Sequence, residues 1–405
     1  MRILIINHQR RFKASWRSVK LAAELARRGH QPTVLCIADT ARFSAKTTVQ
    51  DGVEIVESPD LLPGRLRSGW DPWDCLWRMR FLRGRDFDLI HAFESRPATI
   101  HPVLGALRRR PVPLVMDWID WWGRGGLITE QRPWWYRKLF GGIETWYEEH
   151  FRTRADATTV ISHGLRDRAI GLGVPAESIF WIPNGCVAPD ATPPDAAACR
   201  AKFNLPPDAF VVGFSALDVT LGLDLILRAL RLLAQSHPKA VLMMTGKLSP
   251  EMLRQFGELG VADRVRHLGF VSDADFPHAL ACADVFAVPF VDKPANWGRW
   301  PGRVNEYFVL GKPIVTNPVG EMKALLTQHE VGLLASEEPE DFAAKLGRLA
   351  ADAPLRARFG ENARRLAATD LQWRAVVDRL EEAYGFAIRA HSAKRRGPNS
   401  SAPTP

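Results

Sequence analysis

Short, uninterrupted apolar runs alternate with amphipathic stretches along almost the whole chain. Residues 2–7 (RILIIN) make a run too short for a helix and predict a strand buried on both faces. Residues 15–28 follow, with Trp16, Val19, Ala22, Ala23 and Ala26 at the three-and-four spacing of one helix face, and Gly29 stands where a helix ends. Residues 33–38, 53–56, 86–92, 112–117 and 157–162 predict further strands. Strands of this kind, separated by helices, argue for a parallel sheet covered on both sides.

A proline-rich interval then interrupts the pattern (Pro183, Pro189, Pro193, Pro194, Pro206, Pro207), the composition of a domain boundary. The alternation restarts with strands at 210–214, 240–245, 265–268, 284–289 and 313–317. Helices are predicted at 223–235, 252–259 and from Asn305. Residues 339–391 predict helices, the last carrying Trp373, Val376, Val377, Leu380, Ala383 and Tyr384 on one face. From His391 onward Lys, Arg, Gly, Pro and Ser predict disorder. The fold class expected is α/β, with two doubly wound domains at 1–185 and 208–370. The rest divides into a linker at 186–207, a last helix at 371–390 and a basic tail at 391–405.

Composition narrows the function classes. At 405 residues, 46% hydrophobic and 24% charged, the chain has material for two or three cores and is too apolar for wholesale disorder. The opening apolar run is too short for a secretory signal and is followed at once by Arg10, Arg11 and Lys13. Five cysteines, scattered and without a C-x-x-C pair, suggest neither a zinc site nor a disulfide framework, and fit a reducing cytoplasm. The net charge of +9 sits at the ends. Arg2, Arg10, Arg11, Lys13, Arg17 and Lys20 stand in the first twenty residues without an acid, and Arg389, Lys394, Arg395 and Arg396 in the last twenty-one. Such ends suit phosphates, anionic lipid headgroups or nucleic acid, or serve only as a solubilising tail and a basic loop. No nucleic-acid module is present, and nucleic acid is not expected as a partner.

Two doubly wound domains place a ligand at the carboxyl ends of their strands, but fold alone does not choose the chemistry. A dinucleotide-binding dehydrogenase needs G-x-G-x-x-G after its first strand, and here that loop reads Asn7-His8-Gln9-Arg10-Arg11-Phe12-Lys13, without glycine. The P-loop pattern is absent too. The richest segment is Trp300-Pro301-Gly302-Arg303-Val304-Asn305-Glu306-Tyr307, ending in Gly311-Lys312-Pro313. A Pro-Gly turn opens a helix whose start would seat a diphosphate, with Arg303 as a bidentate cation and Glu306 accepting two ribose hydroxyls. The same spacing also describes a capped helix with an Arg303–Glu306 surface pair.

This segment resembles the nucleotide-binding motif of glycosyltransferase family 4, in its Pro-x-Lys/Arg-x-x-Glu-Tyr-x-x-x-Gly-Lys-Pro form. Other pieces resemble that family's motifs in the same order: Arg27-Arg28-Gly29-His30, Asp88-Leu89-Ile90-His91-Ala92, Arg154-Ala155-Asp156, Ile182-Pro183-Asn184-Gly185, Val265-Arg266-His267-Leu268-Gly269 and Ala283-Asp284-Val285. The resemblance covers about residues 1–388. It implies the GT-B fold: two Rossmann-like domains facing across a cleft, with the last helix crossing back to the first. It also implies transfer of a sugar from a nucleoside diphosphate sugar, with retention and without a metal or other cofactor. By position, Glu306 would hold the ribose, Arg303 the diphosphate, and Gly246 and Lys247 would line the nucleotide. Three positions depart from the family pattern. Ala216 and Leu221 stand where an Arg and a Lys are common, and Gly298 where a Glu contacts the donor sugar. Asp292 or Asn296 would then take over that contact.

In the first domain the resemblance points to Asp117-Trp118-Ile119-Asp120-Trp121-Trp122 at a strand end. There Asp120 would orient the reacting sugar or the acceptor, or else simply cap a helix. His91 joins Asp120 and Arg303 as a catalytic candidate, with a satisfied core histidine as the alternative. His8, Arg11 and Lys13, after the first strand, would meet the acceptor. Ten of the fourteen tryptophans precede residue 151. Trp73, Leu76, Trp77 and Phe81 fall on one helix face among Arg78, Arg80 and Arg83, and Arg132-Pro133-Trp134-Trp135-Tyr136-Arg137-Lys138 forms a second cluster. Such clusters suit an anionic membrane interface or sugar stacking, or packing between helices. The expected function is a glycosyltransferase of cell-surface polysaccharide or glycolipid synthesis. It would use a glycan or lipid-linked acceptor, in the cytoplasm or at the inner face of the plasma membrane. The alternative is a non-catalytic GT-B-like protein binding a nucleotide sugar, glycan or partner.

Overall fold

The computed structural model describes residues 1–11, 16–187, 194–218 and 222–396. The chain divides into two compact units. The first comprises residues 1–184, the short segment Trp297–Trp300 and the last helix; the second holds Gly185–Asn296 and Pro301–Gln372.

In the first unit β1 (Arg2–Arg10), α1 (Trp16–Arg27) and β2 (Gln31–Ile37) lead to a hairpin, β3 (Lys46–Gln50) and β4 (Val53–Ser58). After α2 (Pro72–Arg83) come β5 (Leu89–Phe93), α3 (Pro97–Arg109), β6 (Leu114–Trp118) and the one-turn α4 (Ile128–Gln131). Then follow α5 (Trp134–His150), β7 (Ala157–Val160), α6 (His163–Gly171) and β8 (Ile179–Trp181). The sheet order is β3-β4-β2-β1-β5-β6-β7-β8, parallel except for the β3–β4 hairpin. Alternation along β1 explains its unbroken apolar run. Ile3 and Ile5 pack with α1 and the last helix, while Leu4 and Ile6 pack on the opposite face with α2 and α3.

The second unit contains α7 (Ala196–Lys202), β9 (Phe210–Asp218), α8 (Leu223–Ser236), β10 (Ala240–Lys247), α9 (Pro250–Glu258), β11 (Val265–His267), α10 (Phe276–Ala281) and β12 (Val285–Val288). It continues through α11 (Pro294–Trp297), α12 (Arg303–Val309), β13 (Ile314–Thr316), α13 (Gly320–His329), β14 (Gly332–Leu334), α14 (Pro339–Ala351) and α15 (Ala353–Ala368). Its wholly parallel order, β11-β10-β9-β12-β13-β14, is the doubly wound order of a Rossmann fold. Each sheet reverses its winding once, between β1 and β5 in the first and between β9 and β12 in the second. Crevices at the carboxyl ends of such strands are where open α/β sheets bind ligands.

Two expectations are corrected. The proline-rich interval is not all linker. Asp195 caps α7 by accepting from Ala198 N (3.0 Å), and Arg200 of α7 pairs with Asp284 (2.8 Å). Nor does the last helix, α16 (Trp373–Arg396), stop at residue 390. Lys394 Nζ lies 2.9 Å from Asp156 Oδ1 and His391 Nδ1 3.4 Å from Oδ2, so residues that read as tail continue the helix.

Candidate functional site

In the second unit the switch point is built around Tyr307. Its ring stacks flat on Phe286 of β12 (3.7 Å between centroids, 3° between planes), and its hydroxyl donates to Ser215 O of β9 (3.4 Å). The seven-residue α12 is thereby pinned at the carboxyl end of both strands, with Arg303 and Glu306 on its open side. Arg303 Nη1 donates to both carboxylate oxygens of Glu306 (3.0 and 2.8 Å), and its guanidinium lies 4.4 Å over the Phe276 ring. Burial pushes the Glu306 carboxyl up, and Arg303 opposes the rise. The ligand-seat and surface-pair readings of the sequence thus describe the same two residues. A helix this short contributes little dipole, so the positive charge of the seat is Arg303's.

Gly246 and Lys247 end β10, the neighbour of β9. Gly246 takes φ +116°, a conformation that favours glycine, and Lys247 stands exposed opposite Asp218. Asn296 is buried and donates through Nδ2 to Val291 O (2.8 Å), so this amide proton holds the loop after β12. That corrects its reading as a residue open to a sugar. Asp292 is exposed in the same loop, its backbone N–H donating to Glu337 (2.6 Å). Leu221 lies outside the described residues.

In the first unit the switch point gathers His8 and Arg96. His8 is buried with Nδ1 unpartnered, and burial, then the charges of Arg96 and Arg78, hold it well below the usual histidine range. Its ring is therefore neutral at physiological pH. Gly69, at φ +85°, allows the close approach: a Cβ there would come within 2.5 Å of His8 Cβ and 3.2 Å of Arg96 Cβ. Arg11, expected at the acceptor, is buried and donates to Gln50 of β3 (2.7 Å), which takes it away from that crevice. Lys13 lies outside the described residues. His91 is corrected as well. It is fully buried between Tyr384 OH (2.9 Å) and Thr159 Oγ1 (3.3 Å), and burial lowers it to about 4. It is a satisfied core histidine, the alternative the sequence also allowed.

Asp120 follows β6 in the loop of residues 119–126. Its carboxyl accepts no hydrogen bond from the described residues, and burial pushes it up to about 7. Arg299 and Arg96 oppose that rise, while Glu94 and Glu148 add to it. A carboxyl that titrates near neutrality beside a strand end is a candidate to exchange or share a proton. Glu94 holds the loop in place from a strained backbone, at φ +62°. It accepts from Ile119 N (2.9 Å) and Arg152 Nη2 (2.7 Å).

Sequence reasoning missed the residues that build this loop, which come from α5. Glu148 accepts from Trp122 N (2.8 Å), Gly123 N (2.6 Å) and Arg168 (2.9 and 3.1 Å). Glu144 accepts from Tyr136 OH (2.7 Å) and from the Trp122 indole. The guanidinium groups of Arg96 (4.5 Å) and Arg132 (5.4 Å) both lie over the Trp122 ring. Two glutamates four residues apart, one turn of the helix, were the available signal.

Among the described residues no group of three or more His, Cys, Asp or Glu is placed to hold a metal ion. None of their helices is long and apolar enough to cross a membrane.

The chain matches two protein-family descriptions in succession: "Glycosyl transferase 4-like domain" over residues 14–185 and "Glycosyl transferases group 1" over residues 197–366. It is similar to a D-inositol 3-phosphate glycosyltransferase of Stackebrandtia nassauensis, 31% identical over 224 residues, which are 52% of this chain and 49% of that protein. It is also similar to the GDP-mannose-dependent alpha-(1-6)-phosphatidylinositol monomannoside mannosyltransferase of Mycolicibacterium smegmatis. That match is 29% identical over 238 residues, 56% of this chain and 62% of the relative. The chain thus spans about half the length of the curated D-inositol 3-phosphate glycosyltransferases it matches. In structure it is similar to Anabaena HepE in complex with UDP-glucose, with a TM-score of 0.68, 20% identity, and 95% and 99% of the two chains covered. With two doubly wound units and the two glycosyltransferase matches running in succession from residue 14 to residue 366, the chain belongs to the glycosyltransferases of the GT-B fold.

Proposed function

We propose that this enzyme moves a sugar from a nucleoside diphosphate sugar to a glycan or lipid-linked acceptor. Transfer proceeds with retention and without a metal, in cell-surface polysaccharide or glycolipid synthesis on the cytoplasmic, anionic face of a membrane. The observation that carries this reading is the Arg303–Glu306 pair held at the second sheet's switch point by Tyr307. Arg303 neutralises the charge that grows on the leaving diphosphate, where a fixed cation is most effective. Glu306 accepts the ribose hydroxyls, Gly246 lets the backbone approach the nucleotide, and Lys247 adds a second cation. The relative named for GDP-mannose and phosphatidylinositol monomannoside supports such a donor and a lipid-linked acceptor, and so does the UDP-glucose complex of similar fold.

On the first unit, Asp120 orients the acceptor hydroxyl, and His8 contributes a neutral ring. When the leaving phosphate takes up the acceptor's proton, a retaining displacement needs no protein nucleophile. Asp120 therefore positions rather than attacks. Asp292, exposed after β12, is the carboxylate we assign to the donor sugar.

The test is thermal shift against UDP, GDP, ADP, dTDP and CMP and their common sugars, followed by nucleotide release. A base-selective rise, with release of that nucleotide, is expected because a ligand that prefers the folded state stabilises it. Absence of both with every donor, acceptor lipids included, overturns the proposal.

A further inference from the structure

Helix α5 is folded with its polarity reversed. Its fully buried side chains are two glutamates, Glu144 and Glu148, while its large apolar residues face out. Trp135 (50% exposed), Leu139 (66%), Ile143 (49%) and Trp146 (47%) recur at i, i+4, i+8 and i+11, one continuous stripe, and Trp134 (70%) stands at the helix start. The inward turn has a cause. The loop after β6 and the guanidinium groups of Arg132 and Arg168 need carboxylates, and α5 supplies them. Trp146 stacks on His150 (4.5 Å) and meets Phe151 edge-on (5.3 Å) at the end of its own helix, and the stripe as a whole stays about half exposed or more. A contiguous exposed stripe of this kind marks an interaction surface.

Charge and residue type identify the partner. The exposed first half of α5 carries Arg137 and Lys138 and no acid. Its remaining acid, Glu149, is tied to Arg124 (2.5 Å) and Arg168 (2.7 Å). Tryptophan beside aliphatic side chains, bordered by basic residues, is the composition that settles at the boundary of headgroup and acyl chain. Basic side chains next to such a stripe add attraction to anionic lipid. The neighbouring α2 has the same character. Trp70, just before it, packs edge-on against Tyr147 of α5 (5.4 Å), and α2 turns Trp73 (50% exposed) and Leu76 (61%) outward, with Arg80 and Arg83 exposed further along.

We propose that the outward face of α5 is a membrane-docking surface that inserts Trp135, Leu139, Ile143 and Trp146 into the interface of an anionic bilayer. It deepens the functional reading by naming the surface that meets the membrane, and rests on that reading only for what docking serves. Vesicle partition reads docking and nucleotide release reads transfer, so the two fail separately.

The experiment is sedimentation of the full chain with vesicles of equal parts phosphatidylglycerol and phosphatidylcholine, against vesicles of phosphatidylcholine alone. Binding to the anionic vesicles is expected. It should fall roughly tenfold or more when Trp135, Leu139, Ile143 and Trp146 are all changed to serine, with the circular dichroism spectrum and melting temperature retained. Arg137→Glu with Lys138→Glu should weaken binding to the anionic vesicles alone, and keeps the test open if the serine variant folds poorly. Lack of binding to either vesicle overturns the proposal. So does a wild-type dimer that the serine variant converts to monomer while vesicle binding is unchanged, since the stripe would then join two copies of this chain.

Discussion

Arg303 Nη1 lies 3.0 and 2.8 Å from the two carboxylate oxygens of Glu306, so the cation and the anion of the proposed nucleotide seat are each other's partner before any ligand arrives. A bound nucleotide must exchange that contact for phosphate on one side and ribose on the other. The pair is about one-third to one-half exposed, and its internal attraction is correspondingly small. Glu306→Ala removes a charged hydrogen bond to the ribose and frees Arg303 at once. We expect nucleoside diphosphate affinity to fall by about 2 kcal/mol, roughly thirtyfold in Kd, by titration calorimetry. Unchanged affinity for every nucleotide tested would remove Glu306 from the seat.

The strands were legible in the sequence because a parallel sheet buried on both faces demands unbroken apolar runs, as in residues 2–7 and 33–38. β3 was not legible by that route, since it is exposed along most of its length and lies at the sheet edge. A signal for it existed in Asp51-Gly52, a two-residue hairpin turn with both residues at positive φ (51° and 76°). The donor-side pair was readable because its spacing is local. The first unit's site was not, because it depends on α5 burying its acids, the reverse of what apolar patterning implies. Arg11 and His91 misled for a related reason. Sequence gives a residue's place at a strand end, but Gln50, Tyr384 and Thr159, which take up these two side chains, come from distant segments.

Asp120 gives the stability a pH dependence of definite sign. Its carboxyl stands at about 7 in the folded chain against 3.8 as a free side chain. The folded state therefore holds a proton that the unfolded chain has released. That contribution is fully present below about pH 4 and is lost as the pH rises through about 7, on the order of 4 kcal/mol across the interval. Asp120→Asn carries no such titration. Urea unfolding at pH 5 and pH 8 should show the variant losing less stability than the wild type between the two. Parallel losses would mean that Asp120 ionises normally.

The Ile182-Pro183-Asn184 motif owes its position to one buried guanidinium. Arg17 donates to Ile182 O (2.7 Å), Pro183 O (2.9 Å), Asn184 Oδ1 (3.0 Å) and Asp117 Oδ2 (3.2 Å), with its side chain 4% exposed. Arg17→Met keeps the volume but leaves the fully buried Asp117 without its counter-charge. Removing one partner of such a pair costs about 3–5 kcal/mol. A urea midpoint lowered to match is expected, and Arg17→Lys should recover only part of it, because an ammonium cannot make the forked contact. A midpoint within experimental error of wild type would show that Arg17 is not what holds the motif.

Gly298 stands where the family resemblance leads one to expect a glutamate, and the packing around it leaves no room for a side chain. The segment Trp297–Trp300 belongs to the first unit, with the Trp297 indole edge-on to Trp121 at 5.6 Å. A Cβ at residue 298 would fall 2.6 Å from Trp121 Cβ, 2.9 Å from Trp121 N and 3.1 Å from Leu165. Two of these neighbours are backbone or directly attached to it, so the segment cannot yield by rotating a side chain. Gly298→Glu should therefore destabilise by about 1–3 kcal/mol, the range for forced overpacking. It should also leave donor turnover lower, because the added carboxylate displaces the segment instead of reaching a sugar. Gly298→Ala, which adds only the offending atom, should reproduce most of the stability loss in a thermal melt. If Gly298→Glu instead keeps the wild-type melting temperature and raises turnover, the segment has room for the carboxylate, and the glycine marks a lost catalytic group rather than a packing requirement.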